Sequence, residues 1–140
     1  MKKKTYKSLL LITSFLIVLF SSCAKLKLEH EEARNLIITN VDFGKLADGE
    51  YVGNYDGGMF AWRKNTCQVT VSESRVSDIM LIESVEDRPQ EFFDELYGKV
   101  IANQSLQVDV ISGATLTSKA HLKAVEDALL EADMETTKLN

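Results

Sequence analysis

Along the 140-residue chain the spacing of apolar positions changes several times, and each change predicts an element. Residues 1–22 begin with Lys2, Lys3, Lys4 and Lys7 and continue as a mostly apolar run from Leu9 to Phe20. Residues 24–47 are charged at first and more apolar later, with room for a short helix from Glu29 to Ile38. From Asp48 the pattern is β-like. In DGEYVGNYDGG a strand around Tyr51 and Val52 is bracketed by Gly49, Gly53, Gly57 and Gly58; glycine is favoured where a backbone bends or is approached closely. In TCQVTVS, Cys67, Val69 and Val71 alternate with Gln68 and Thr70, the period of a half-buried strand. SESR predicts a turn and RVSDIMLIES, residues 75–84, a third strand. Short connections make these strands antiparallel neighbours.

Pro89 precedes a helical pattern in which Phe92, Phe93, Leu96, Val100 and Ile101 share a face, and proline suits a helix start. SLQVDVI, residues 105–111, predicts a short strand. A second helix is predicted from Thr117 to about Ala132. Its apolar face holds Ala120, Leu122, Ala124, Val125, Ala128 and Leu129; Lys119, Lys123, Glu126 and Asp127 form its solvated face. The order of elements predicts an α+β fold: a small, largely antiparallel sheet packed with two helices, the C-terminal one following the SGAT turn.

The N-terminus adds a location. A basic start, a short apolar run and the small residues Ser21 and Ser22 are the layout of a secretory signal peptide. The run is short for a membrane-spanning helix, which needs about 20 apolar residues. Cys23 directly after the small residues resembles a bacterial lipoprotein signal, although Phe20 stands where that signal usually has leucine. The signal peptide would send the domain across the cytoplasmic membrane, and lipidation of Cys23 would hold it there, facing the periplasm or the exterior; two or more acyl chains make such an anchor durable. The expected layout is a signal peptide at 1–22, a lipid-anchored tether and lead-in at 23–47, one domain at 48–135 and a tail at 136–140. Loss of residues 1–22 takes Lys+Arg from 16 to 12 against 21 acidic residues, leaving a formal charge of −9. Such an acidic domain argues against nucleic acid as a partner. Cys67 is the only cysteine left besides Cys23, and its alternating context reads as a small buried hydrophobe. His30 and His121 lie in unrelated segments, so no metal site is expected.

The chemistry concentrates in VDVISGATLTS. Ser112-Gly113-Ala114-Thr115 has only small side chains. Beyond it a helix N-terminus offers unpaired N–H groups and the positive end of its dipole, a natural seat for phosphate. Ser112, Thr115, Thr117 and Ser118 add hydroxyls. On these residues alone the turn reads first as a plain connection, with Gly113 permitting it and Thr117 or Ser118 as the helix cap.

The same stretch resembles the FMN-binding domain family, whose signature is an Asp, two residues, Ser or Thr, then Gly-Ala-Thr. Asp109, Ser112, Gly113, Ala114 and Thr115 fill those positions. DGEYVG and RVSDIMLIES resemble the family's entry and third strands, so that the likeness spans about residues 48–132. The resemblance implies covalent FMN, taken from FAD by a flavin transferase and joined to the Thr115 hydroxyl as a phosphoester. It implies that Asp109 and Ser112 assist or are recognised by the transferase and that Gly113 and Ala114 keep the approach open. Leu116, Thr117 and Ser118 complete the candidate cofactor-binding set. A threonine hydroxyl is a poor nucleophile without a base, and Asp109 is the only candidate nearby, which suits an external enzyme. The expected role is an electron carrier between a membrane donor and an extracytosolic acceptor, since the chain has no nicotinamide fingerprint, haem motif or iron–sulfur cysteines. Reversible FMN binding, or a structural surface lipoprotein without cofactor, are the alternatives. Tyr51, Met59, Phe60 and Trp62 are candidates to pack on the flavin ring or to serve as core and rim residues.

Overall fold

The structure is a computed structural model in which residues 23–139 are described; the signal peptide expected at 1–22 lies outside them. Three antiparallel strands, β1 (Gly49–Tyr55), β2 (Asn65–Ser72) and β3 (Arg75–Ser84), form one sheet in the order β1-β2-β3. The two-residue period of β2 turns Cys67, Val69 and Val71 to the core, where each is buried. Ser72 pairs with Arg75, leaving Glu73 and Ser74 as a two-residue hairpin turn with φ of 54° and 55°. Positive φ at both central positions is the geometry whose twist matches the flanking strands. Neither residue is glycine, and the Asp48 carboxylate compensates by accepting both turn N–H groups, at 3.0 Å from Glu73 and 2.8 Å from Ser74.

The described residues include three helices: α1 over residues 23–34, α2 (Gln90–Asn103) and α3 (Thr115–Leu139). Pro89 stands at the N-cap of α2, and Phe92, Phe93, Leu96, Tyr97 and Val100 face inward. α3 crosses the sheet on β1 and β2. Ala120, Ala124, Ala128 and Ala132 recur every fourth residue and are all buried, a stripe thin enough for the helix backbone to approach β1 at Gly53. Leu122, Val125 and Leu129 complete this layer of the core.

Several expectations need correction. Residues 105–111 form no strand. The alternation is present in burial, with Leu106 buried and Val108 packed against the core, but no ladder forms. The edge of β3 is met there by a side chain: Gln104 ends α2 at φ 47° and its amide both accepts from Val76 N at 2.9 Å and donates to Val76 O at 2.8 Å. α3 starts two residues before Thr117 and runs beyond Ala132 to Leu139, through most of the residues read as a tail.

The lead-in also differs. Helix α1 ends at residue 34, so the short helix expected from Glu29 to Ile38 begins earlier and stops sooner. The chain then runs extended along α3, and the face of α3 expected to be solvated is what holds it. Lys119 Nζ donates to the carbonyls of Arg34 and Leu36, Lys123 Nζ to that of Ile37, and the Glu126 carboxylate accepts from Thr39 N at 2.8 Å. Glu126 is buried and pairs with Lys123. The physical reason is that an extended segment carries unpaired carbonyls and amides, and buried ones need partners. Asp127 does remain exposed, accepting from Asn54 N.

Candidate functional site

The SGAT turn is closed by Ala114 N donating to Ile111 O at 3.0 Å, with Gly113 at φ +75°. A left-handed residue at this third position suits glycine. Apart from its two chain neighbours, no residue comes within 4 Å of where a Gly113 side chain would begin, so the residue is required by backbone angle, and the space in front of it is open. Replacing Gly113 with alanine is therefore expected to lower stability by about 1 kcal/mol through φ alone, measurable by urea denaturation; a loss above about 3 kcal/mol would show that the site is crowded.

The first intrahelical bond of α3 runs from Ser118 N to Ala114 O at 2.9 Å, which makes Ala114 the cap position. Neither Thr117 nor Ser118 is the N-cap. Ser118 is buried and its hydroxyl joins turn to helix, accepting from Ile111 N at 3.1 Å and donating to Ala114 O at 2.9 Å. Thr117, also buried, accepts from Arg88 Nη2 at 3.0 Å and donates to Glu86 Oε1 at 3.1 Å. Ser112 and Thr115 are exposed and their hydroxyls make no hydrogen bond among the described residues. The structure thus divides the four hydroxyls into two structural and two available ones. The N–H groups of Thr115, Leu116 and Thr117 precede the first intrahelical bond, and no acidic residue of α3 itself occupies the first turn to oppose the positive helix end. Asp109 is exposed; its carbonyl accepts from Lys99 Nζ at 3.3 Å and its carboxylate makes no hydrogen bond to Thr115. Leu116 is half-buried.

Beneath this turn lies a charge network that no local pattern in the sequence announced. Glu29 of α1 is buried and pairs with Arg63, which lies 3.9 Å from Glu86. Glu86 is 3.5 Å from Arg88, whose guanidinium sits 5.9 Å from the centre of the Phe92 ring. Four segments remote in sequence, α1, the β1–β2 loop, the β3–α2 loop and α3, therefore meet under Thr117. One turn further along α3, His121 is enclosed by Phe92, Phe93 and Tyr97. Burial, with the Arg88 charge adding to it, holds His121 down at about 4.

The aromatic candidates separate. Tyr51 is buried, and its hydroxyl lies 3.2 Å from Glu135. Along the helix that is about 30 Å from Thr115, so Tyr51 belongs to the core at the far end. Met59, Phe60 and Trp62 sit in the β1–β2 loop just before Arg63, with Met59 N donating to the Glu32 carboxylate. Cys67 is fully buried, and burial pushes its thiol up to about 12. Among the described residues no cluster of His, Cys, Asp and Glu could hold a metal ion, and no helix is long and apolar enough to cross a membrane.

A family model described as the FMN-binding domain matches residues 61–130, half of the chain, from the end of the β1–β2 loop through most of α3. Among solved structures, the CPE2226 protein from Clostridium perfringens matches with a TM-score of 0.51 and 22% identity, covering 64% of this chain and 91% of that one. At that identity the likeness concerns the fold. No curated protein matches the chain.

Proposed function

The chain belongs to the FMN-binding domain family and is a flavin-binding protein; from that premise we propose that it carries FMN covalently on Thr115 and works as a lipid-anchored electron carrier outside the cytoplasm. The single observation behind the attachment point is the state of the hydroxyls. Thr115 is exposed, unbonded and at the first residue of α3, whereas Thr117 and Ser118 are buried and engaged.

The residues present fit such a group. Open space in front of Gly113 admits a bulky phosphoester, and the free N–H groups at the start of α3 suit its remaining negative charge. For attachment, the Thr115 hydroxyl attacks the FMN-side phosphorus of FAD. AMP leaves with the bridging oxygen, and the hydroxyl proton passes to a base on the transferase. An external base is needed because Asp109, the nearest acid in the motif, is not hydrogen-bonded to Thr115. The bound flavin supplies the redox chemistry; the protein's part is to hold it at a stiff helix end. Cys23, exposed at the start of the described part of α1, is the proposed lipid site. Because α1 is tied to Arg63 through Glu29, the anchor would connect to the flavin end through folded structure. An unidentified membrane donor and an extracytosolic acceptor complete the path.

The test is the intact mass of the full chain produced beside a flavin transferase. The expected result is a gain equal to FMN less one water, with flavin fluorescence that survives denaturing electrophoresis, and complete loss of both in Thr115→Val. Flavin retained at full level in the folded variant would move the site elsewhere. Yellow protein that bleaches on denaturation would point to reversible binding.

A further inference from the structure

Residues 23–28, the start of the described part of α1, are all exposed, and the helix first meets the domain at Glu29, which is buried. At 1.5 Å of rise per residue this tip stands about 9 Å out from its base. Its composition differs from that of the body. Leu26 is 46% exposed and Leu28 51% exposed. Lys25 and Lys27, beside them, are exposed and make no ion pair among the described residues. None of the 21 acidic residues of the chain lies in the tip. Setting its two lysines aside takes Lys+Arg after Cys23 from 12 to 10, so residues 29–140 carry a formal charge of −11. The base of the helix is fixed to the domain. Glu29 pairs with Arg63, the Glu32 carboxylate accepts from Met59 N at 3.0 Å, and Ala33 is buried. From there three side-chain contacts, Glu29 to Arg63, Arg63 to Glu86 and Glu86 to Thr117, lead to the first turn of α3.

Next to an acylated cysteine, exposed leucines and lysines with no acid among them match a bilayer surface. Apolar side chains of a helix enter the boundary between headgroups and acyl chains. Lysine lays its stem along apolar surface and keeps its ammonium at the headgroups. Anionic headgroups attract such lysines and repel an acidic body. We propose that residues 24–28 are a stalk seated in an anionic membrane surface, which holds the domain at a fixed height instead of letting it swing on a loose tether. This rests on the reading that Cys23 is lipidated, and it assigns the partner that the first turns of α1 meet. Repulsion between the body and the membrane is screened over about 8 Å at physiological salt, close to the length of the stalk, so the body stands where that repulsion has largely faded. Because the base of the stalk is fixed to Arg63, the height of the start of α3 above the membrane is set by folded structure.

The test uses the processed lipoprotein, purified in detergent and added to preformed vesicles of phosphatidylcholine alone or of phosphatidylcholine mixed with phosphatidylglycerol. A water-soluble amine reagent labels exposed lysines, and peptide mass spectrometry gives the rate at each one. Lys45, an exposed lysine of the lead-in, is the reference. On the mixed vesicles Lys25 and Lys27 are expected to react severalfold more slowly, relative to Lys45, than on phosphatidylcholine alone, and added salt should remove most of that difference. Replacing Leu26 and Leu28 together with serine changes only exposed side chains; it should restore fast labelling while the acyl chains keep the protein on the vesicles. Equal labelling of vesicle-bound protein on the two lipid mixtures overturns the stalk and leaves the anchor intact. Slow labelling that follows protein density and ignores phosphatidylglycerol assigns the tip to a second copy of the chain and also overturns the stalk. A mature protein whose mass includes no acyl chains overturns anchor and stalk together.

Discussion

Substituting alanine at Gly53 is expected to prevent α3 from seating on the sheet. A Cβ at this position would lie 1.9 Å from Ala124 O, 2.5 Å from Ala128 N and 2.9 Å from Ala128 Cβ. Two of these are backbone atoms of a helix, so no rotamer change relieves the clash. Overpacking a core typically costs about 1–3 kcal/mol, and a collision with two backbone atoms of one helix places this one at or above about 3 kcal/mol. Whole domains are stable by only about 5–15 kcal/mol, so one methyl group removes much of the margin. Urea denaturation, or soluble yield where the variant does not survive, measures it. Because α3 carries Thr115 on its first residue, flavin loading should fall in parallel. Stability within about 1 kcal/mol of wild type would mean that the helix does not cross β1 at Gly53.

A second large effect is expected in acid. His121 is 1% exposed, and its Nδ1 lies 3.2 Å from Tyr97 Oη. Burial pushes the Tyr97 phenol up, so it stays protonated and shares one hydrogen bond with the imidazole. The unfolded chain takes up a proton on this histidine below about pH 6.5, whereas the folded protein does so only below about 4, chiefly because burial disfavours the charge. The unfolded state therefore binds more protons between these values. Stability is fully present above pH 6.5 and is lost as pH falls toward 4, by up to about 3 kcal/mol. Denaturation midpoints at intervals from pH 7.5 to pH 4.5 would show this decline. His121→Gln, neutral throughout, should flatten it while lowering stability at pH 7.5. Parallel declines in wild type and variant would assign the acid sensitivity to other groups. The lowered carboxyl of Asp42, paired with Lys45, acts at more acidic pH, below its ordinary value of 3.8, and so leaves this window clear.

Tyr97 and His121 also illustrate how legibility divided. Tyr97 extends the apolar face of α2, yet nothing in its spacing foretells that its hydroxyl meets a histidine on another helix. The lysines of α3 are a sharper case. On a helical projection Lys119 and Lys123 fall opposite the alanine stripe, and polarity alone suggests water. Their ammonium groups instead collect carbonyls from residues more than eighty positions earlier. Residues 105–111 show the reverse error, since alternating burial was real and a hydrogen-bonded partner was not. In the site, SGAT and its threonine were readable because turn chemistry and motif are contiguous. Arg63, Glu86 and Glu29 were not, because each is an ordinary charged residue until the fold brings them within ion-pair distance.

Local pattern by itself therefore determined the three strands, the hairpin order, the two main helices, and the turn that carries Thr115. These depend on spacings of two to four residues, where backbone geometry alone dictates which side chains share a face. Only the tertiary structure decided which hydroxyls are engaged, how closely α3 approaches β1, and that the lead-in is folded onto α3. Those outcomes depend on buried polar groups finding partners and on atoms excluding one another across long sequence separations, and no short window of residues contains either constraint.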